Sequence, residues 1–347
     1  MPWVFRLALF AANSNDFVLQ PFLDSAPARA QRPAYHSSMP FGLARRTSST
    51  FVPRAPFFLL VGVYLAAASC SSTATAPHTP QATAEPQATP RNAGQPPTKA
   101  YLGADLNTYP GDTALPILRK TFSFVSYWLS APPDAKGSTW LGKRELLQSQ
   151  GFGLAVLYLG PPSKALKSPR QSEQKAIGEA KNAAAAAAKE GFPVHTIIFL
   201  DIEEGGRLPA TYHAYLRAWT DELTSAGYRA GVYCSGMPVN EGGGVTILTS
   251  DDIRNNIGSR EMQYWIFNDA CPPSPGCVVS QNPPPPSASG VAYAAIWQIS
   301  QSPRRKQYTA HCAATYGSDG NCYAPGDAAH KWFLDINSAT SPDPSRK

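Results

Sequence analysis

Eight short apolar runs, spread over residues 101–337, most constrain what this chain can fold into. They are 101–106 (YLGADL), 122–129 (FSFVSYWL), 152–159 (FGLAVLYL), 196–203 (TIIFLDIE), 228–235 (YRAGVYCS), 262–268 (MQYWIFN), 292–300 (AYAAIWQIS) and 332–337 (WFLDIN). Most are nearly continuous in apolar residues, the pattern of parallel strands covered on both faces. Helical stretches fall between the early runs. Residues 172–190 are rich in Ala, Glu and Lys, with Gly191 placed to end a helix. Residues 210–226 put Tyr212, Tyr215, Leu216, Trp219 and Leu223 on one face, with Gly227 as the stop. Residues 250–258 begin with a Ser/Asp cap pattern and give a short helix. Beyond them the connections are Pro-, Gly- and Cys-containing loops. Strands alternating with helices indicate a parallel α/β sheet. Eight strands in this length fit a closed barrel better than an open doubly wound sheet. No Gly-x-Gly-x-x-Gly follows any strand, which disfavours a nucleotide-binding fold. The expected architecture is a modified TIM barrel, one domain over residues 100–340, with a tail at 341–347.

The chain ahead of this domain reads as an export leader. Arg45, Arg46 and Arg54 precede the apolar run Phe57–Ala68, which closes on Ala67-Ala68-Ser69-Cys70. A basic region, a short apolar region and small residues before a cleavage point make a secretory signal. The run is too short to span a bilayer, which takes about 20 residues. Cysteine after small residues is similar to a bacterial lipobox, implying lipid attachment at Cys70 and a membrane contact through that anchor. Ala67 stands where such motifs prefer Leu. Arg45-Arg46 loosely resembles a twin-arginine signal, although the residues after it do not fit. The signal would occupy residues 39–70, and residues 1–38 form an extension that an upstream start codon would explain. Residues 71–99, dominated by Ala, Thr, Pro and Gln without an aromatic residue, read as a tether.

The formal charge of +6 belongs mostly to this leader. Residues 1–99 carry eight Lys/Arg and three Asp/Glu, while residues 100–347 carry 22 and 21. A nearly neutral domain without a basic stripe is not expected to bind nucleic acid. Cysteine usage agrees with an oxidising compartment. Cys271 with Cys277, and Cys312 with Cys322, sit in Pro/Gly/Asp-rich loops, where two short disulfide-closed loops are expected. Cys234 lies in an apolar strand and reads as a buried free thiol. No C-x-x-C spacing or paired histidine supports a zinc site, so no metal is expected.

Chemistry in such a barrel gathers at the C-terminal ends of its strands. Asp105 ends the first run, Asp201 and Glu203 the fourth, and Asp335 the last, in Leu334-Asp335-Ile336-Asn337. Strand side chains alternate, so Asp201 and Glu203 share a face, and Glu204 points away if the strand persists. Two carboxyls on one lumen cannot both ionise freely, so one pKa should rise. That suits a general acid beside a charged partner. Taken singly, Asp105 could cap a turn, Asp335 could bond a loop backbone, and Asp201-Ile202-Glu203 could be a solvated edge. Closure of the barrel would bring all four together. Tyr158, Tyr233, Tyr264, Trp265 and Trp297 lie beside them, with Gln298 next to the last. Aromatic faces stack on sugar rings and Gln bonds their hydroxyls, though at least half of these aromatics should be core.

In order along the chain, Gly-x-Asp at Asp105, Leu-Asp-Ile-Glu at Asp201 and Glu203, Gly-Val-Tyr at Tyr233, Tyr-Trp-Ile at Trp265, Trp-Gln at Trp297 and Gln298, and Leu-Asp-Ile-Asn at Asp335 and Asn337 resemble glycoside hydrolase family 25. Those are the Chalaropsis-type lysozymes. The sequence is more similar still to the glycoside-hydrolase-like domain family (domain of unknown function 1906), over nearly all of residues 100–340. The resemblance implies a (β/α)5β3 barrel and action on N-acetylmuramoyl linkages of peptidoglycan. It makes Glu203 the general acid, Asp201 the carboxylate beside it, and Asp105 and Asp335 an outer acidic pair. Tyr233, Trp297, Gln298, Trp265, Tyr158 and Asn337 become candidate substrate contacts. The second run lacks the polar pattern of family 25, and neither the loop 236–249 nor the cysteine loops have a counterpart there.

Two functions follow as expectations. The first is an exported cell-envelope glycosidase, lysozyme-like and monomeric, acting on peptidoglycan or another N-acetylated glycan without a cofactor. In it Glu203 protonates the leaving oxygen and Asp201 or Asp335 stabilises positive charge at the anomeric carbon. The substrate's own N-acetyl group could serve as nucleophile, which leaves retention or inversion open. The second is a non-catalytic glycan-binding lipoprotein that keeps the barrel.

Overall fold

The computed structural model describes residues 99–346. The segment expected to be an export leader, Cys70, and the expected tether apart from Lys99 lie outside the described residues. In chain order the elements are β1 (Tyr101–Asp105), α1 (Leu115–Arg119), β2 (Phe124–Trp128), α2 (Arg144–Ser149), β3 (Gly153–Leu159), α3 (Pro169–Lys189), β4 (Ile197–Asp201), α4 (Ala210–Ser225) and β5 (Arg229–Ser235). The hairpin β6 (Val239–Gly242) and β7 (Val245–Ile247) follows, then α5 (Thr249–Asn256), β8 (Gln263–Phe267), β9 (Ile296–Ser300) and β10 (Asp335–Ala339). Eight strands close a barrel in the order β1-β10-β9-β8-β5-β4-β3-β2. Five strand–helix units and three strands joined by loops make the expected modified TIM barrel.

The eight apolar runs supply the eight barrel strands, but the last one differs in span and direction. β10 begins at Asp335, where a strand ending at Asn337 was expected, and it runs antiparallel to both β1 and β9. A short apolar run carries no information about direction, so a parallel reading was the default. Asp335 therefore opens its strand. Because that strand is reversed, its first residue lies at the same barrel end as the last residues of the others, and Asp105 pairs with Asp335 in register.

The helices form for local reasons. In α3 Ser168 caps the N-terminus, its Oγ accepting from Gln171 N at 3.4 Å, and Pro169 takes the first turn. There its missing N–H costs nothing, so the helix starts three residues earlier than expected. Ala176, Ala180, Ala183 and Ala187 form its buried stripe, small enough for close packing on α4. Gly191 and Gly227, at φ 75° and 85°, stop α3 and α4 in the left-handed conformation. The hairpin β6–β7 occupies the segment read as a loop, its turn made by Gly242, Gly243 and Gly244 at positive φ.

Within the barrel, Phe199 meets Trp265 edge-on at 5.7 Å, and the Trp265 indole donates to Asn337 Oδ1 at 2.8 Å. The residues after β10 are bound as well. Leu154 N donates to Asp343 Oδ1 (2.9 Å) and Val156 N to Ser345 Oγ (2.8 Å), tying this segment to β3.

Two disulfides join Cys271 to Cys312 and Cys277 to Cys322, with Cα separations of 5.9 and 5.6 Å. The expected cysteines are bonded, but the expected pairing is overturned. Instead of closing one short loop each, the bridges cross-link the loop after β8 to the loop after β9. Cys234 is the buried free thiol.

Candidate active site

One cavity of about 90 Å³ is lined by Asp105, Asn107, Trp128, Leu157, Asp201, Glu203, Tyr233, Gln301 and Asp335. All four carboxylates singled out in the sequence thus come together. The fold explains how. Asp105 and Asp201 are the last residues of β1 and β4, Asp335 the first of reversed β10, and Glu203 stands two residues past the end of β4.

Their surroundings differ. Asp335 is held at both oxygens: Ser302 N donates to Oδ1 at 2.6 Å and Gln298 Nε2 to Oδ2 at 3.0 Å. Asp201 is buried, 3% exposed, and its Oδ1 has no hydrogen-bond partner; Asp105 Oδ1 is likewise unpaired. Glu203 reaches solvent yet stands in the concave mouth, enclosed on its sides, and accepts no hydrogen bond from the described residues.

All four carboxyls hold their protons more tightly than free ones do. For Asp105 burial is the main cause, opposed by a hydrogen bond from Ser126 and assisted by the Glu203 charge, and the result is a pKa of about 6. Burial, then the charges of Glu203 and Asp105, push Asp201 well up. Asp335 is pushed well up by burial and by Asp105, against the bond from Ser302. Glu203 is raised by burial, Arg305 pulls it back, and Asp134 raises it again. Desolvation plus like charge is the arrangement that keeps a carboxylic acid protonated near neutral pH.

Arg305 supplies positive charge beside this acidic cavity. It pairs with buried Asp269, Nε donating to Oδ2 at 3.1 Å, and its guanidinium lies over the rings of Phe267 (5.3 Å) and Tyr308 (4.8 Å). Among the described residues no group of three or more His, Cys, Asp or Glu is arranged to hold a metal ion.

Residues 137–271 match the family model described as the Rv2525c-like, glycoside hydrolase-like domain. Asp201, Glu203 and Tyr233 fall inside this glycoside hydrolase-like match, whereas Asp105 and Asp335 lie outside it and are brought in by barrel closure. No curated protein matches the chain. Among solved structures, an uncharacterized protein of B. stearothermophilus aligns at 18% identity and TM-score 0.46, covering 69% of this chain and 95% of that one. The Tat-secreted protein Rv2525c of Mycobacterium tuberculosis, in complex with HEPES, aligns at 15% and 0.40, covering 71% and 96%. The modular autolysin LytC of Streptococcus pneumoniae aligns at 15% and 0.39, covering 69% and 46%.

The other expected contacts separate by strand parity. Tyr233 lines the cavity. Gln298 and Asn337 face the lumen, bonded to Asp335 and Trp265. Trp265 lies in the layer with Phe199 and Tyr233, fully buried. Two expectations are corrected. Tyr158 follows cavity-lining Leu157 on β3, so alternation turns it out against Trp219 of α4 at 5.4 Å. Trp297 precedes lumen-facing Gln298 and points the other way, its indole donating to Asn268 O at 2.9 Å. Tyr264, also on the outer face, packs on Tyr293 at 4.8 Å. Glu204 was expected to point away only if the strand persisted; β4 ends at Asp201, and Glu204 instead accepts from Ser163 N at 2.7 Å.

Sequence reasoning missed Asn107, Trp128 and Gln301. Trp128 was hidden in an apolar run. Its parity with Ser126, the one polar residue among apolar neighbours in that strand, was the available signal.

Proposed function

We propose that this chain is an exported glycoside hydrolase of the cell envelope, acting on peptidoglycan or another N-acetylated glycan by acid catalysis. The observation that carries it is the gathering of four carboxyls from three strands in one cavity, crowded enough that they cannot all ionise together. Glu203, nearest solvent and free of hydrogen bonds, is the general acid that protonates the leaving oxygen. Asp201 and Asp335, deeper in the lumen, face the positive charge that develops at the anomeric carbon. Asp335 is held rigidly by Ser302 and Gln298, which suits a fixed electrostatic role. The cavity is smaller than the roughly 300–1,000 Å³ of pockets that engulf a whole ligand. It takes part of one sugar ring, and the rest of a glycan lies across the mouth.

Export is proposed from the apolar run at Phe57–Ala68 and from the two disulfides, with lipid attachment at Cys70 as the membrane contact. The protein is proposed to act as a monomer.

The freedom of Glu203 also favours a second reading, a glycan-binding lipoprotein without turnover, since nothing among the described residues fixes the acid's orientation. The test is incubation of the full-length chain with peptidoglycan and with chitin oligomers, measuring new reducing ends. Release of reducing ends is expected. Saturable binding with no release from any envelope polysaccharide would assign the protein to the second reading.

A further inference from the structure

The cavity contains one feature that the acid mechanism does not use. Trp128 ends β2 with its side chain 2% exposed, lines the cavity, and its indole Nε1 has no hydrogen-bond partner. Other buried tryptophans contrast with it. Trp140 donates to Asn107 O (3.3 Å), Trp265 to Asn337 Oδ1 (2.8 Å) and Trp297 to Asn268 O (2.9 Å). Trp219 Nε1 is unpaired too, but it lies on α4, outside the barrel. Leaving a buried donor unpaired is unfavourable, and of these two tryptophans Trp128 is the one that lines the acidic cavity.

The position of Trp128 is firmly set. Ser138 Oγ donates to its carbonyl oxygen at 2.6 Å, Leu129 N donates to Leu157 O at 2.9 Å, and Trp128 is in register with Leu157 on β3. Alternation along β2 puts it on the lumen face with Phe124 and Ser126. Within the same cavity, Asp105 Oδ1 and Asp201 Oδ1 are buried acceptors without partners.

A ligand filling this space must offer an acceptor to the indole N–H and a donor to a carboxylate. A cation offers no acceptor. An anion meets four acidic side chains that repel it whenever they ionise. A neutral hydroxyl does both from one atom. We propose that Trp128 is a substrate-binding residue whose indole N–H donates to a sugar-ring hydroxyl, which in turn donates to Asp105 or Asp201. This rests on the glycan reading above and adds to it the group that reads the ring.

The experiment is calorimetric titration of the full-length protein with two probes, chitotriose and cellotriose, for the wild type, Trp128→Phe and Trp219→Phe. Trp128→Phe removes the N–H and keeps an aromatic ring, and thermal melting checks that it remains folded. It is expected to weaken binding of whichever probe the wild type takes by about tenfold, the worth of one buried hydrogen bond, with Trp219→Phe unchanged. In the wild type, one indole N–H resonance, absent from Trp128→Phe, should shift on titration. Equal affinity of Trp128→Phe and wild type, or an unmoved indole resonance at saturation, would overturn the role of Trp128 and leave the glycan reading standing. No binding of either probe by the wild type would overturn both.

Discussion

Asp105 shows at single-residue scale how the site sets chemistry against stability. Its carboxyl titrates at about 6 in the folded protein, against 3.8 for a free side chain. Below the free value both folded and unfolded chains are protonated, and the folded state keeps the full benefit. As pH rises through the window from about 4 to about 6, the unfolded chain releases its proton first and stability falls. Above that window the buried carboxylate is a standing cost of about 3 kcal/mol at most. Asp105→Asn is therefore expected to stabilise the protein at pH 7 and to flatten the fall between pH 4 and 6. Chemical denaturation at a series of pH values checks this, and a variant less stable than wild type at pH 7 would contradict it. The four acids could be found in the sequence because strand ends are where barrels put polar groups. Tyr158 and Trp297 were misassigned because only the parity fixed by Leu157 and Gln298 says which neighbour faces the lumen. Gln301 lies beyond its strand, where alternation gives no guidance.

At the scale of elements, the eight strands and three longer helices were legible because continuous apolar runs and Ala-rich or amphipathic stretches need little context. The direction of β10, the hairpin β6–β7 and the short helices α1 and α2 were not, since each depends on neighbours distant in the chain. Disulfide pairing belongs with these. Spacing favoured two small loops, whereas the fold lays the two loops side by side and bridges them. Peptide mapping without reduction should recover Cys271 linked to Cys312 and Cys277 to Cys322; peptides linking Cys271 to Cys277 would refute this arrangement. The second of these loops carries Gln301 and Arg305, so the bridges also hold part of the cavity wall. Replacing Cys271 and Cys312 by Ser together should cost about 2–5 kcal/mol of stability and reduce activity, read by denaturant melts and by reducing-end release. Unchanged activity at full occupancy of the folded state would separate the loops from the site.

For the whole molecule, closure is the property on which everything else depends, because the site exists only if β10 joins β1 to β9. The chain end supports that closure from β3, where Asp343 and Ser345 accept from Leu154 N and Val156 N. Truncation after Ser341 leaves those two donors without partners and should destabilise the fold by about 2–4 kcal/mol, measured by denaturant melts; an unchanged midpoint would show that the segment adds nothing. The central claim, that the gathered carboxyls make Glu203 a general acid, is tested most directly by Glu203→Gln. This change keeps the side chain's shape and removes its acidic proton together with its charge. The variant is expected to release reducing ends from peptidoglycan about 10²–10⁴-fold more slowly while binding it as tightly as wild type. Turnover equal to that of wild type would contradict the account.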